Sequence, residues 1–344
     1  MDKGITIALQ SRNPNVLTAI KRKNLDDGKL SAFLEMYNEG GVPAYVEIIL
    51  GLPEETLESF IDGVCDVIEL EQHNYIGIYS MTALPNTPFG LKDYIDKYEL
   101  KILNTYTAFN HYDISEQNEF EREDMVVASR TMTFKDYKDA HYFRWIVMAG
   151  HFLGLTQFIS RFYRTIYNVS YKSFYTKLLN YAYDYPESFL GKELKATIAS
   201  LENTLDAKQP WGRIIQGVKK NFAWDFEEAT VINVSKNKEI FYEEIKHFLK
   251  TYLKHDIKDE VLEDLFKYQK SGLIDPAKRY PAKELFDYNI HDIICNKDPL
   301  KTKKNKLVFS ADNYDGDYYE WGKEKLWWGR RIGACKAKVE VAQV

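Results

Sequence analysis

The chain has 344 residues, is 45% hydrophobic and carries a net charge of −5 at pH 7, with both signs spread along its length. That is enough apolar material for one large domain or two. No basic arm or dominant Lys/Arg cluster appears, so nothing in the charge pattern points to a nucleic-acid partner.

Up to about residue 110, strands alternate with helices. Gly4 to Leu9 is a short β-rich run. Asn13-Pro14 then supplies an N-cap followed by proline at the first helical position, and Val16, Leu17 and Ile20 give the next turns one apolar face. A second helix is predicted from Leu30 to Asn38, stopped by Gly40-Gly41. Tyr45 to Leu50 reads as the next strand and runs into Gly51-Leu-Pro53. Pro53 is read as a first helical position, with Glu54 and Glu55 at the positive end of that helix. Leu57, Phe60, Ile61, Val64, Val67 and Ile68 follow at helical spacing, and Tyr75 to Tyr79 is a third strand. Such alternation predicts an α/β fold of parallel βα units, its strands apolar enough for a sheet covered on both faces.

Beyond this region the pattern turns helical. The acidic run at 115–124 reads as a solvated linker or helix start. Phe134 to Tyr167 is aromatic and helical with a break expected near Gly150 or Gly154. Phe241 to Tyr252 and Leu262 to Phe266 mark two more helices, the latter stopped by Gly272. Asp315-Gly316 is read as a hairpin turn and Lys336 to Val341 as a strand.

Several features carry little chemistry. Trp145 to Ile159, the most apolar long stretch, contains His151 and Gln157 and is shorter than the roughly 20 residues of a membrane span. The start at Met1 lacks the pattern of a secretory signal, so a cytoplasmic location is expected, and the sequons at Asn168 and Asn233 are read as chance matches. Cys65, Cys295 and Cys335 lie too far apart for zinc or a disulfide scaffold. His141 and His151 are ten residues apart, off a shared helix face, and read as structural. The segment Glu324 to Arg331, with two tryptophans and two arginines, is read as a tail packed by aromatic burial, with a docking surface as the alternative.

In a parallel α/β barrel, ligands meet the C-terminal ends of the strands. Here those ends are Gln10-Ser11-Arg12-Asn13, Gly51-Leu52-Pro53-Glu54-Glu55 and Ser80-Met81-Thr82. Taken in order, Ala8 to Pro14, Glu47 to Thr56 and Ile78 to Pro88 resemble the fourth, fifth and sixth strand ends of the radical S-adenosylmethionine (radical SAM) barrel, in the subgroup with an N-terminal cobalamin-binding domain. The resemblance is strong from Gly4 to Gly90 and looser through Thr107–Gln117 to about Gln157.

The resemblance implies a partial radical SAM (TIM-like) barrel at 1–112, holding strands four to six, and a mainly helical region with a short β tail at 113–344. It implies that Gln10 and Ser11 lie beside the ribose and amino-acid parts of S-adenosylmethionine, with Asn13 also among the cofactor-binding residues. Ile49 and Gly51 would line the adenosyl group, and Ile78 and Tyr79 would approach adenine. Glu47 stands where the family's fifth-strand motif usually begins with glycine, and either Glu54 or Glu55 fills its last position; a role in complementing the helix terminus is the alternative for both.

The family's 4Fe–4S cluster needs a Cys-x3-Cys-x2-Cys loop that this sequence lacks. The expectation is therefore the C-terminal part of a cobalamin-dependent radical SAM enzyme, inactive alone and acting on a small molecule once joined to a cluster- and cobalamin-bearing N-terminal portion. The alternative is a non-enzymatic interaction module or a split-gene subunit that needs such a partner chain.

Overall fold

In the computed structural model, residues 4–106, 111–113 and 121–342 are described. Thr107–Asn110 and residues 114–120 lie outside them, and with these most of the acidic run and most of the Thr107–Gln117 part of the looser resemblance.

Strands β1 (Ile5–Gln10), β2 (Ala44–Leu50) and β3 (Ile76–Ser80) form a parallel sheet in that order. The predicted connections are present between them: α1 (Pro14–Ala19), α2 (Asp27–Glu39) and α3 (Leu57–Glu69). Asn13 caps α1 as expected, accepting from the Asn15 N–H, with Pro14 at the first helical position.

The start of α3 departs from expectation. Thr56 and Ser59 make a reciprocal capping box, so the helix begins at Leu57. Pro53 to Glu55 form a turn before it, and Glu54 has a φ of 68°, which no helix accommodates. The capping box outcompetes the proline signal because it satisfies two otherwise unpaired N–H groups.

Register sorts the side chains into two faces. Ala8 lies opposite Glu47, Glu47 opposite Gly77, and Ile49 opposite Tyr79. On the other face Val46, Ile48, Ile76 and Ile78 are buried in one cluster with Phe60, Val64, Val67 and Ile68 of α3. Coverage of the first face is incomplete: Glu47 and Ile49 are half-buried and Tyr79 is 38% exposed. This face is where the sheet meets the rest of the chain.

After β3 the chain continues as an antiparallel arm. The sequence carried no clear signal for it, because Lys101–Tyr106 mixes polar and apolar residues without one period. Following α4 (Lys92–Tyr98), β4 (Lys101–Tyr106) pairs with β6 (Arg122–Ala128), and the Met81–Ala83 segment joins β6 through Val126 N–H to Met81 O at 2.9 Å. The short β5 (Tyr112–Asp113) belongs to a separate small sheet with β7 (Arg213–Ile214) and β8 (Phe222–Trp224).

The helical region consists of α5 (Phe134–Val147), α6 (Gln157–Tyr167), α7 (Tyr171–Asp184), α8 (Phe189–Leu205), α9 (Phe226–Lys236), α10 (Lys238–Phe248) and α11 (Asp259–Gly272). The expected break falls at the π-turn Met148–Phe152 and the loop through Gly154, whose φ is +92°. Gly272 ends α11 as read.

The last elements are β9 (Ala282–Tyr288), α12 (Ile290–Asn296), β10 (Thr302–Ser310), α13 (Tyr318–Trp321) and β11 (Lys338–Val341), the strands forming an antiparallel sheet ordered β11-β10-β9. Asp315-Gly316 has the left-handed backbone of a tight turn, but it leads from β10 into α13 and not across a hairpin. Among the described residues no helix is long and apolar enough to cross a membrane.

The segment after α13 returns to the body of the protein. Trp321 is fully buried, and a Cβ on Gly322 would meet the Trp224 ring at 2.8 Å. Trp321→Ala is expected to cost about 3–5 kcal/mol, as a large aromatic leaves a cavity that partners fill poorly. Urea unfolding would show a lower midpoint at unchanged slope; a loss under about 1 kcal/mol would mean that this tail is loosely held.

Candidate functional site

At the end of β1 the register shifts, with Ala8 opposite Glu47 but Gln10 opposite Ile48, and Gln10 takes a φ of 66°. Such a bulge re-aims the residues that follow it. Ser11 is turned inward and buried, its hydroxyl donating to Glu55 Oε2 at 2.5 Å while accepting from the Asn13 N–H at 3.0 Å. The Asn13 amide donates to Glu54 O at 3.3 Å and to Ser59 Oγ at 3.1 Å, and Ser59 Oγ itself donates to Glu55 Oε1. Glu55 is thus a buried hub that fastens the end of β1 to the start of α3. Burial pushes its carboxyl up, against the hydrogen bonds from Ser11, Ser59 and Asn13.

The Glu54 side chain takes no part in this hub, to which the residue lends only its carbonyl. It turns outward and pairs with Arg130. Between the two alternatives for the motif's last position, the structure brings Glu55 to Ser11 and Asn13. Gly51, with φ +95°, lets β6 pass close by: a Cβ there would sit 3.0 Å from Val126 O. The side-chain amide of Gln10 has no hydrogen-bond partner among the described residues.

A second group gathers on the open face of the sheet. The Tyr79 hydroxyl reaches Glu47 Oε1 at 3.5 Å and accepts from Arg331 Nη2 at 3.2 Å; Arg331 Nη1 donates to Tyr45 Oη at 3.3 Å. Ile49 stands beside Tyr79 in register, and Ile78 opens onto a cavity of about 390 Å³ bounded by β3, α5, the start of α9 and the segment Trp327–Arg331. Of the predicted site residues, Ile78 and Tyr79 line that cavity; Glu47 meets it only through the Tyr79 hydroxyl and Ile49 packs against Val16, Leu52 and Met81, whereas Ser11, Asn13, Gly51 and Glu54 lie at the strand ends to one side.

The cavity wall rests on buried charge. Arg144 of α5 pairs with Glu227 at 3.2 Å, and Arg330 pairs with Asp225 at 2.9 Å and Glu228 at 3.2 Å. His111 contacts Glu228 and stacks on Trp327 with ring centroids 4.2 Å apart. Burial pushes the Asp225 carboxyl up, but the Arg330 and Arg144 guanidiniums outweigh it and hold it below the usual range. Burial wins at Glu227, whose carboxyl is shifted up despite Arg144. The sequence noted Glu324–Arg331 only as a packed tail or docking surface; its two adjacent arginines were the signal for this wall, but their partners lie more than a hundred residues away in the chain.

The donor set does not fit an iron–sulfur cluster. Cys65 is buried in the α3 core with its thiol pushed up by burial, Cys335 is buried against Phe152 O, and Cys295 lies apart from both. Among the described residues no three His, Cys, Asp or Glu side chains group as metal ligands. His151 is instead hydrogen-bonded to His73 at 3.0 Å and to the Tyr175 hydroxyl at 3.0 Å, a structural role as read.

Two outcomes follow. Glu55→Ala strands the buried Ser11 hydroxyl and is expected to cost about 2–3 kcal/mol, whereas Glu55→Gln keeps an acceptor and costs under about 1 kcal/mol near pH 5. Because the folded Glu55 binds its proton more tightly than the unfolded chain, its contribution is intact below the usual value of 4.5 and lost as pH rises through the folded value. Urea midpoints from pH 4 to 8 should therefore move in favour of Glu55→Gln as pH rises. Arg330→Met leaves Asp225 and Glu228 with an uncompensated buried charge and is expected to cost about 3–5 kcal/mol in the same assay.

No protein-family model matches the chain. Over 291 residues, 79% of the chain, it is 25% identical to the cobalamin-dependent radical SAM methyltransferase TokK of Streptomyces tokunonensis. Over 284 residues it is likewise 25% identical to the 2-(S-pantetheinyl)-carbapenam-3-carboxylate methyltransferase of Streptantibioticus cattleyicolor. In both cases the chain spans 42% of the relative's length. The chain is thus related to the cobalamin-dependent radical SAM enzymes, the subgroup that its strand-end motifs resemble.

Proposed function

We propose that this chain forms the C-terminal part of a cobalamin-dependent radical SAM enzyme that transfers a methyl group to carbon on a small-molecule substrate. The observation that carries this reading is the cavity that runs along β3 to its C-terminal end at Ser80 and is bounded by the Trp327–Arg331 segment, in a chain similar to such methyltransferases over most of its length. Ligand sites in parallel α/β sheets lie at this end of the strands.

In this reading β1, β2 and β3 are the fourth to sixth strands of a barrel, and the helical region from about residue 113 onward is its substrate-side cover. Ile49 and Tyr79 offer an apolar and aromatic surface suited to a nucleoside, and Gln10 an unspent amide for its ribose or amino-acid part. Ser11 and Asn13 hold the β1 end in place through Glu55. The cluster and cobalamin, carried by an N-terminal portion, supply the radical and the methyl group when bound. This chain's residues bind and orient the substrate and keep water from it.

The N-terminal portion also has a place to dock. β1 is the edge of its sheet, and beside it runs a groove of about 890 Å³ floored by Ile5 to Leu9 and rimmed by Phe33 and Tyr37. The exposed Leu25, Phe33 and Met36 lie along α2 and its approach. An open strand edge flanked by apolar side chains is a template for one further strand. A partner chain supplying that strand is the split-gene version of the same reading.

Anaerobic reconstitution with iron and sulfide, then reductant and S-adenosylmethionine, tests the proposal. The chain alone should form no 5′-deoxyadenosine; with a cluster-bearing N-terminal portion joined or added in trans, it should. Product from the chain alone, or none from the joined protein, would overturn the reading.

A further inference from the structure

A second recess lies away from the C-terminal strand ends, where α3 gives way to the turn that leads into the start of β3. It has a volume of about 340 Å³. Its wall holds Glu69 and Glu71, Arg161 and Arg164 of α6, Tyr171 at the start of α7, and Lys297 just past α12.

The carboxylates of this wall are fully engaged. Glu69 accepts from Arg164 Nε at 2.7 Å with one oxygen and from the Tyr171 N–H at 3.2 Å with the other. Glu71 meets Lys297 Nζ at 2.9 Å and, through its second oxygen, His73 Nε2 at 3.1 Å. Burial, and after it the Arg161 charge, pushes the His73 imidazole down to about 4, so that ring is neutral near pH 7. Two carboxylates thus face three cations, and Arg161 is the one left over: it pairs with no carboxylate among the described residues. Its one hydrogen bond there runs from Nη2 to Ile294 O at 2.7 Å, and its Nε and Nη1 stay open to solvent. The Tyr171 hydroxyl also has no hydrogen-bond partner among the described residues, although the residue is only 3% exposed.

From this arrangement we infer that the recess binds a phosphate group, free or carried on a small ester, seated between Arg161, the Tyr171 hydroxyl and Lys297. Donors that reach one recess from α6, α7 and the end of α12 suit a tetrahedral anion, which offers an oxygen to each. The guanidinium fork can meet two of those oxygens at once. Bound there, the anion balances the surplus charge and ties the end of α12 to α6 and α7. The site is separate from the cavity beside β3 and does not depend on the radical chemistry.

The test is calorimetric titration of the full chain with inorganic phosphate, ribose 5-phosphate and uncharged ribose. At about pH 7.5 and constant ionic strength the ester is a dianion and nonspecific attraction is equally screened. Both phosphates should bind saturably and ribose should not. Arg161→Gln should weaken phosphate binding at least about tenfold, and Tyr171→Phe at least about threefold. Arg161→Lys keeps the charge and should lose less than Arg161→Gln. Near-ultraviolet circular dichroism checks the fold; should Arg161→Gln disturb it, the isosteric Tyr171→Phe decides. Tighter binding of the ester assigns the site to a phosphorylated small molecule, and equal or weaker binding to free phosphate. No saturable binding of either phosphate, ribose binding as well as its ester, or phosphate affinity unchanged in Tyr171→Phe and in folded Arg161→Gln would overturn the inference.

Discussion

The structure turns on the pairing of two arginines with three carboxylates inside it. Arg144, Arg330, Asp225, Glu227 and Glu228 are largely removed from water, where an ion without its partner costs several kcal/mol. That penalty permits few arrangements. The first turn of α9 must face α5, and the segment after α13 must return far enough to insert Arg330 between Asp225 and Glu228. Once Arg330 is fixed, Trp327 and Arg331 have little choice of position, and the roof of the cavity follows. Apolar packing fills the molecule, but charge balance decides where the tail lies.

What the sequence showed, it showed through local chemistry. The three strands, the Asn13 cap, the break before Gly154 and the stop at Gly272 depend on residues within a few positions of one another, and all are found. Pro53 misled because two local signals competed and the Thr56–Ser59 capping box prevailed. Asp315-Gly316 has the turn conformation expected of it, but turn residues do not say which element comes next.

The candidate site was legible in proportion to its locality. Strand ends announce themselves, so Gln10 and Ser11 could be singled out from the sequence, whereas Glu47 and Tyr79 were pointed to only by the resemblance to a known barrel. That Ser11 meets Glu55, while Glu54 leaves for Arg130, depends on a bulge in β1 and a left-handed residue in the following turn. Neither has a compositional signature. Arg330 and Arg331 stood in view as a pair, but their meaning lies in residues brought beside them only by the complete fold.

The reach of that tail also bears on how the chain is made. Arg331 meets Tyr45 across 286 positions, and Lys336 donates to His73 O across 263. Contacts this distant in sequence form slowly, because a long loop must close before any of them is gained. During synthesis, β2 and β3 emerge from the ribosome long before the residues that will cover their open face. Until those arrive, Ile49 and Tyr79 wait uncovered, and the nascent chain is at its most vulnerable to association with other chains. Chaperone residence on this protein should therefore be long, and should end only once the segment that holds Arg331 and Lys336 has emerged.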